Sequence, residues 1–151
     1  MIGMKKVVVC ILTVLCALSV ATAAEQKVTA TQIVQREKGV CTDYNNGEFH
    51  STEQTISLYD FTGDGRPETV VDASQFSCST SVSMWGGTGG TYLWVVVDGV
   101  AHEFLAHQWK VVDMYGKNVL LLAVHPSRCD YTAGPCYQAY VWSKGAFRTT
   151  K

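Results

Sequence analysis

The chain has 151 residues, of which 47% are hydrophobic and 17% charged, and its formal net charge at pH 7 is −1. This near-neutral balance argues against a nucleic-acid-binding protein, because such proteins present a basic stripe that the sequence lacks. The charge says little about other classes of partner.

The first 24 residues have the order of a secretory signal peptide. Lys5 and Lys6 precede an apolar run at positions 7–20, and small residues at 21–24 precede Glu25. The run is too short to span a bilayer, and no later segment approaches the length of a transmembrane helix. We therefore predict a signal peptide at 1–24 and a single β-rich domain at 25–151, periplasmic or secreted, with no membrane span. That domain carries ten Lys or Arg against thirteen Asp or Glu, a net charge of −3.

Four cysteines remain in the predicted domain: Cys41, Cys78, Cys129 and Cys136. In an exported chain an even number of cysteines predicts disulfides, and four cysteines allow three connectivities. We favour Cys129–Cys136, because the turn residues between them bring the two ends together, which leaves Cys41 to pair with Cys78. On the chain-entropy model the two closures contribute roughly 2.5 and 4 kcal/mol, with the longer loop contributing more. The absence of a Cys-x-x-Cys pair disfavours a redox role.

A short helix is predicted at positions 29–38. Thr29 or Thr31 is its N-cap, Ile33-Val34 is its apolar contact, and Gly39 ends it.

Short strands and tight turns follow the helix from Thr55 onward. Alternating apolar residues at 56–58 and the run at 69–71 predict two strands on either side of an acidic loop. Three further pairs of apolar runs flank short turns and predict hairpins: 92–97 with 100–105, 109–113 with 119–124, and 137–142 with 146–149. Such short connections favour antiparallel pairing, since parallel strands need long crossovers. The predicted fold is a β-rich α+β domain, in which one short N-terminal helix packs on an antiparallel meander sheet stabilised by disulfides.

The acidic segment 60–68 has the layout of a calcium loop. Four oxygen-bearing side chains stand at positions 1, 3, 5 and 9 around a glycine at position 6: Asp60, Thr62, Asp64 and Glu68. The backbone carbonyl of Arg66 at position 7 completes the predicted metal ligands. Three carboxylates predict a weak calcium affinity, on the order of 10⁻⁴ to 10⁻³ M. The glycines and Pro67 suit a metal-free turn equally, in which the aspartates accept backbone hydrogen bonds.

The stretch 60–71 resembles the Asp-x-Asn-Gly-Asp-Gly-x-Pro-Asp loop and following strand of the FG-GAP and VCBS class of extracellular calcium motifs. It is also similar to a group of uncharacterised exported bacterial proteins in which a Cys-Gly-x-Gly-Gly-Cys segment follows the loop. Here Gly86 and Thr91 replace both cysteines of that segment. The resemblance covers most of residues 41–148, implies calcium ligation by the five loop residues, and implies no enzymatic activity. The single copy of the loop does not extend the resemblance to a propeller.

Other titratable groups form no recognisable catalytic motif. His102 and His107 are five residues apart, whereas the zinc-protease pattern needs a spacing of four. On a strand that spacing puts the two rings on opposite faces, which predicts one buried and one solvated histidine. His125 beside Asp130 would act as a base only if a nucleophile faced it. Four serines offer such a hydroxyl outside any Gly-x-Ser-x-Gly elbow: Ser77, Ser79, Ser81 and Ser83.

The glycine run 86–90 predicts a flexible or tightly turning loop beside Trp85. No Lys-Ser or Lys-Thr follows it, so it is not a phosphate loop of the P-loop type. Trp94 and Trp109 lie in apolar runs and are predicted core residues, whereas Trp85 is predicted to be exposed.

The expected function is that of an exported non-catalytic binding or structural module, stabilised by calcium, for a protein or glycan ligand that the sequence does not identify. One alternative is a periplasmic protein inhibitor or immunity-type protein that blocks an envelope hydrolase with a loop such as 86–90. A third reading is a hydrolase that uses His125 with Asp130. The sequence leaves the oligomeric state open.

Overall fold

The computed structural model describes residues 27–129 and 136–149, so the predicted signal peptide and the segment 130–135 lie outside the described residues. Its regular elements are one helix and eleven strands: α1 (Ala30–Asp43), β1 (Phe49–Ser51), β2 (Ile56–Tyr59), β3 (Glu68–Asp72), β4 (Phe76–Cys78), β5 (Gly86–Gly87), β6 (Gly90–Val97), β7 (Val100–Ala106), β8 (Gln108–Met114), β9 (Lys117–Val124), β10 (Cys136–Ser143) and β11 (Ala146–Thr149). Short 3₁₀ turns cover 53–55, 73–75 and 126–129. The predicted β-rich α+β class with antiparallel pairing is confirmed.

The elements form three layers. In the first sheet the order is β2-β3-β6, and β6 also pairs with β5 and β7. The second sheet has the order β11-β10-β9-β8 and packs against one face of the first. Helix α1 and the two-stranded ribbon β1–β4 cover the other face.

Strand β6 is the centre of the molecule because both of its faces are buried. Leu93, Val95 and Val97 point into the core shared with the second sheet. Trp94 and Val96 point into the core shared with helix α1. A strand covered on both faces reads as a continuous apolar run, which accounts for the sequence at 93–97.

The three predicted hairpins are confirmed as β6–β7, β8–β9 and β10–β11. Each turn has a left-handed residue followed by glycine, with φ of 51° at Asp98, 55° at Tyr115 and 52° at Lys144. The predicted single meander instead divides after β7, where the chain enters the second sheet. Since β6 must be covered on both faces, one continuous sheet would leave its apolar residues exposed.

Helix α1 starts where the sequence predicts but ends later. Thr29 is the N-cap and forms a reciprocal capping box with Gln32. The predicted end at Gly39 is wrong, because the helix continues to Asp43. Cys41 in the added turn is fully buried and bonded to Cys78, and this packing offsets the cost of about 1 kcal/mol for a glycine inside a helix.

Both favoured disulfides are present, Cys41–Cys78 and Cys129–Cys136. Within residues 27–129 and 136–149, no helix has the length and apolar character needed to cross a bilayer.

Candidate metal centre

The acidic loop connects the paired strands β2 and β3, as predicted. Phe61 anchors it, because its ring is buried in the core beneath the second sheet and lies 5.3 Å from the Phe147 ring. Gly63 and Gly65 have φ of +77° and +84°, values that glycine adopts without strain. The loop therefore turns at Gly63 and at Gly65, next to the buried ring of Phe61.

The three carboxylates of the loop converge. Asp60, Asp64 and Glu68 each present one oxygen, and these oxygens lie within 4.8 Å of one another. They differ in exposure: Glu68 is buried, Asp60 is half-buried and Asp64 is exposed. The carboxylates therefore lie close together at the protein surface, where their negative charges repel.

Backbone N–H groups orient all three carboxylates, and Asp64 Oδ1 accepts from the backbone of Arg66 at 2.8 Å. Glu68 Oε2 accepts hydrogen bonds from the backbone of Phe61 at 2.6 Å and Thr62 at 3.2 Å. Asp60 accepts from Gly63 at 2.7 Å and from Gly65 at 2.9 Å. The loop thus holds its carboxylates in place through its own backbone.

Thr62 lies between the carboxylates of Asp60 and Glu68. Its hydroxyl is 3.2 Å from Glu68 Oε1 and 3.4 Å from Asp60 Oδ1, so it donates its one proton to this pair. The hydroxyl oxygen is therefore inside the acidic cluster, where the sequence places a ligand.

The side chain of Arg66 pairs with Asp64, whereas the sequence predicts a role only for the Arg66 backbone carbonyl. Its guanidinium donates to Asp64 Oδ2 from Nε at 3.0 Å and from Nη2 at 2.6 Å. This hydrogen-bonded pair lowers the pKa of Asp64 below its ordinary value and raises the pKa of Arg66. Because the Arg66 side chain is 80% exposed, the ion pair is screened by water and can open at little cost.

Asn118 is a site residue that the loop sequence does not reveal. Its side-chain amide donates to the backbone carbonyl of Asp60 at 2.8 Å, across 58 residues of chain. The β8–β9 hairpin therefore supports the first position of the acidic loop. This contact positions the backbone of Asp60 and does not involve its carboxylate.

The donor set fits a hard cation. All the converging side chains supply oxygen, which calcium and magnesium prefer, and none supplies the nitrogen or sulfur typical of zinc sites. The same geometry also fits the metal-free turn, because every carboxylate already accepts at least one hydrogen bond from the loop.

The histidines occupy separate positions. His102 is half-buried, with its ring centroid 5.2 Å from that of Trp142, whereas His107 is exposed, as the spacing predicts. Burial lowers the pKa of His102. His125 Nδ1 lies 2.8 Å from the hydroxyl of Ser127 and does not contact the serines at 77–83. Asp130, its predicted partner, lies outside the described residues.

The predicted exposure of Trp85 is wrong. Its ring is 5% exposed, packs edge-on to Phe49 and Phe76, and donates its indole N–H to Glu37 at 2.8 Å. These partners lie nine residues or more away in sequence, so the glycine run beside Trp85 gives no sign of them.

Comparison of the chain with models of protein families, with curated proteins and with solved structures found no match in any of the three. The loop geometry and the fold are therefore the basis for assigning a function.

Proposed function

We propose that this protein is an exported, non-catalytic binding or structural module whose acidic loop takes calcium. The observation that carries the proposal is the convergence of the Asp60, Asp64 and Glu68 oxygens within 4.8 Å on a loop of calcium-motif spacing. A cation at this point would relieve the repulsion among three neighbouring carboxylates. The resemblance to FG-GAP and VCBS calcium motifs agrees with this assignment.

Each residue of the loop has a separate role in the proposal. Asp60, Asp64 and Glu68 would supply carboxylate oxygens, and Thr62 and Arg66 would supply a hydroxyl and a carbonyl oxygen. Calcium supplies the positive charge that holds these groups together. Binding competes with the Arg66 guanidinium for Asp64, which agrees with a weak affinity.

The disulfides and the histidine contacts support an exported module without catalysis. Two disulfides in a small domain are typical of proteins that leave the reducing cytoplasm, to the periplasm or the medium. The hydroxyl of Ser127 bonds to His125 within a local turn, where the backbone N–H of Ser127 also donates to Nδ1 at 3.2 Å. This arrangement favours a turn-closing role over activation of a nucleophile.

The test is thermal unfolding of the oxidised protein in chelator and in millimolar calcium, for the wild type and for Asp64→Asn. Calcium at about ten times its dissociation constant should stabilise the wild type by roughly 1.4 kcal/mol and raise its Tm by several degrees. Asp64→Asn should abolish the rise, since it removes one carboxylate and leaves the fold intact.

Asp43→Asn is the matched control, because it removes the same charge from the exposed end of helix α1, away from the loop. It should keep the full response to calcium. An equal Tm in chelator and calcium for the wild type, or an equal rise in all three proteins, would overturn the calcium assignment and leave the loop as a metal-free turn.

A further inference from the structure

A second candidate site lies at the opposite end of the two-sheet core from the acidic loop. Strand β6 runs between the two ends: Val97 is next to the start of β3 and the acidic loop, and Gly90 is next to the glycine turn that joins β5 to β6. A cleft of about 360 Å³ opens beside this turn. Its lining comes from the glycine turn, the end of β7 and the 3₁₀ turn after β9: Thr88, Gly89, Leu105, His125, Ser127 and Arg128.

The lining carries hydrogen-bond donors and a cation, and none of its described residues is acidic. Arg128 is exposed and forms no ion pair with any described residue. The ring of His107 lies 6.4 Å from that of His125 and adds a second imidazole beside the cleft. Glu103 lines a neighbouring cavity with Arg128, but its carboxylate accepts the indole N–H of Trp94 at 3.0 Å.

The hydrogen bonds of His125 fix its tautomer. A backbone N–H can only donate, so the bond from Ser127 N makes His125 Nδ1 an acceptor. The proton of the neutral ring then resides on Nε2, which is left as a donor. The disulfide at Cys129 and the hydrogen bond from Gln138 to the Arg128 carbonyl hold this turn in place.

The glycine turn keeps the mouth of the cleft open. Gly87 and Gly89 have no positive φ, and a Cβ at either position would meet no protein atom within 4 Å. Neither backbone conformation nor packing therefore requires glycine there. The absence of a side chain at Gly89 gives a ligand access to the backbone, a property that oxyanion sites use.

We propose that this cleft binds the phosphate group of a small soluble ligand. The guanidinium of Arg128 supplies a planar fork of donors that matches a phosphate, and His125 Nε2–H adds a neutral donor, while the Ser127 hydroxyl donates its proton to His125 Nδ1 and so holds the ring in place. Leu105 provides an apolar wall for the remainder of the ligand. The proposal is independent of calcium in the acidic loop.

The test is an NMR titration of the full exported chain with inorganic phosphate, following the backbone amides of Gly89, Ser127 and Arg128. We expect saturable shifts at these amides, and a dissociation constant at least about tenfold weaker for Arg128→Gln, because a charge-assisted bidentate contact is lost. Arg148→Gln is the matched control, since Arg148 is an exposed arginine on β11, and it should bind as the wild type does. Equal affinities for Arg128→Gln and the wild type, or no saturable shift, would overturn the proposal.

Gly89→Leu gives a second variant that separates binding from folding. The structure leaves room for its Cβ, so the Tm should stay close to that of the wild type while phosphate binding is lost. Unchanged phosphate binding in this variant would count against the cleft.

Glycerol 3-phosphate and phosphatidylglycerol vesicles distinguish the source of the phosphate. Shifts with the first and none with the second support a soluble ligand. Arg128-dependent binding to vesicles without binding of glycerol 3-phosphate would overturn the soluble-ligand assignment.

Discussion

Three of the four tryptophans donate their indole N–H to a carboxylate at 2.8–3.0 Å. The pairs are Trp85 with Glu37, Trp94 with Glu103, and Trp109 with Asp72. A buried indole whose N–H lacks an acceptor loses free energy, so each carboxylate specifies where its tryptophan packs. The Trp85 pair also links helix α1 to the loop that follows β4.

Glu37 should be costly to remove, because it is buried and serves two donors. Its carboxylate accepts from Trp85 and from Arg36, the latter at 2.7 Å. Glu37→Leu leaves the Trp85 N–H without its acceptor and should lower the free energy of unfolding by about 1–3 kcal/mol in urea. Glu53→Leu, at an exposed glutamate, should stay within about 0.5 kcal/mol of the wild type. Equal stabilities for both variants would show that the buried bond contributes nothing.

The half-buried His102 gives the free energy of unfolding a pH dependence of predictable sign. Burial lowers the pKa of His102 below its ordinary 6.5, so between the two pKa values the unfolded chain binds a proton that the folded chain does not. Its contribution to stability is complete above pH 6.5 and is lost as the pH falls from there through the folded pKa. His102→Phe should flatten urea-unfolding stability between pH 7 and pH 5, whereas His50→Gln, at an exposed site, should keep the wild-type slope. The lowered pKa of Asp64 also contributes to stability, and this contribution is lost in a separate pH range, as the pH falls below 3.8.

At the scale of elements, Gly39 shows where tertiary packing overrides a local signal. It lies inside helix α1 without positive φ, and a Cβ there would meet no atom within 4 Å. Gly39→Ala should therefore raise the free energy of unfolding by about 0.5–1 kcal/mol, measured in urea.

Gly99→Ala is the informative counterpart, because Gly99 has φ of +88° and its Cβ would approach Lys27 Cβ to 2.6 Å. It should destabilise the protein. If Gly39→Ala were neutral or destabilising, the expectation that position 39 accepts a side chain without strain or steric clash would be wrong.

Elements defined by short-range patterns were predictable, and those defined by distant partners were not. Asp98-Gly99 and Lys144-Gly145 mark their hairpins locally, and the calcium-motif spacing predicts that Asp60, Asp64 and Glu68 converge. The ribbon β1–β4 and the support of Asp60 by Asn118 depend on contacts between residues 25 or more positions apart. No local periodicity encodes such contacts.

At the scale of the whole molecule, the division into two sheets follows from the need to bury both faces of strand β6. The sequence shows this need, but several folds can meet it. The run at 93–97 must be buried on both faces, and this can be met by a helix, a second sheet or a partner chain. Here helix α1 covers one face and the second sheet the other. The turn types identify the hairpins, whereas core packing decides which hairpin covers which face.

The two disulfides act on different layers and should differ in their contribution. Cys41–Cys78 closes 37 residues and ties helix α1 to β4, whereas Cys129–Cys136 closes 7 residues beside the second sheet. Replacing the first pair with alanine should lower the free energy of unfolding by roughly 4 kcal/mol, and replacing the second by roughly 2.5 kcal/mol.

Hydrogen exchange shows whether each disulfide stabilises its own layer of the fold or the whole domain equally. Without Cys41–Cys78, the amides of helix α1 should lose protection before those of β9, because the helix packs on the first sheet through one face and its last turn is held by the bond. Without Cys129–Cys136, the order of protection should be that of the wild type. Two results would contradict a role of Cys41–Cys78 in holding helix α1. One is a smaller loss of unfolding free energy without Cys41–Cys78 than without Cys129–Cys136. The other is equal hydrogen exchange of the helix α1 amides in the two variants.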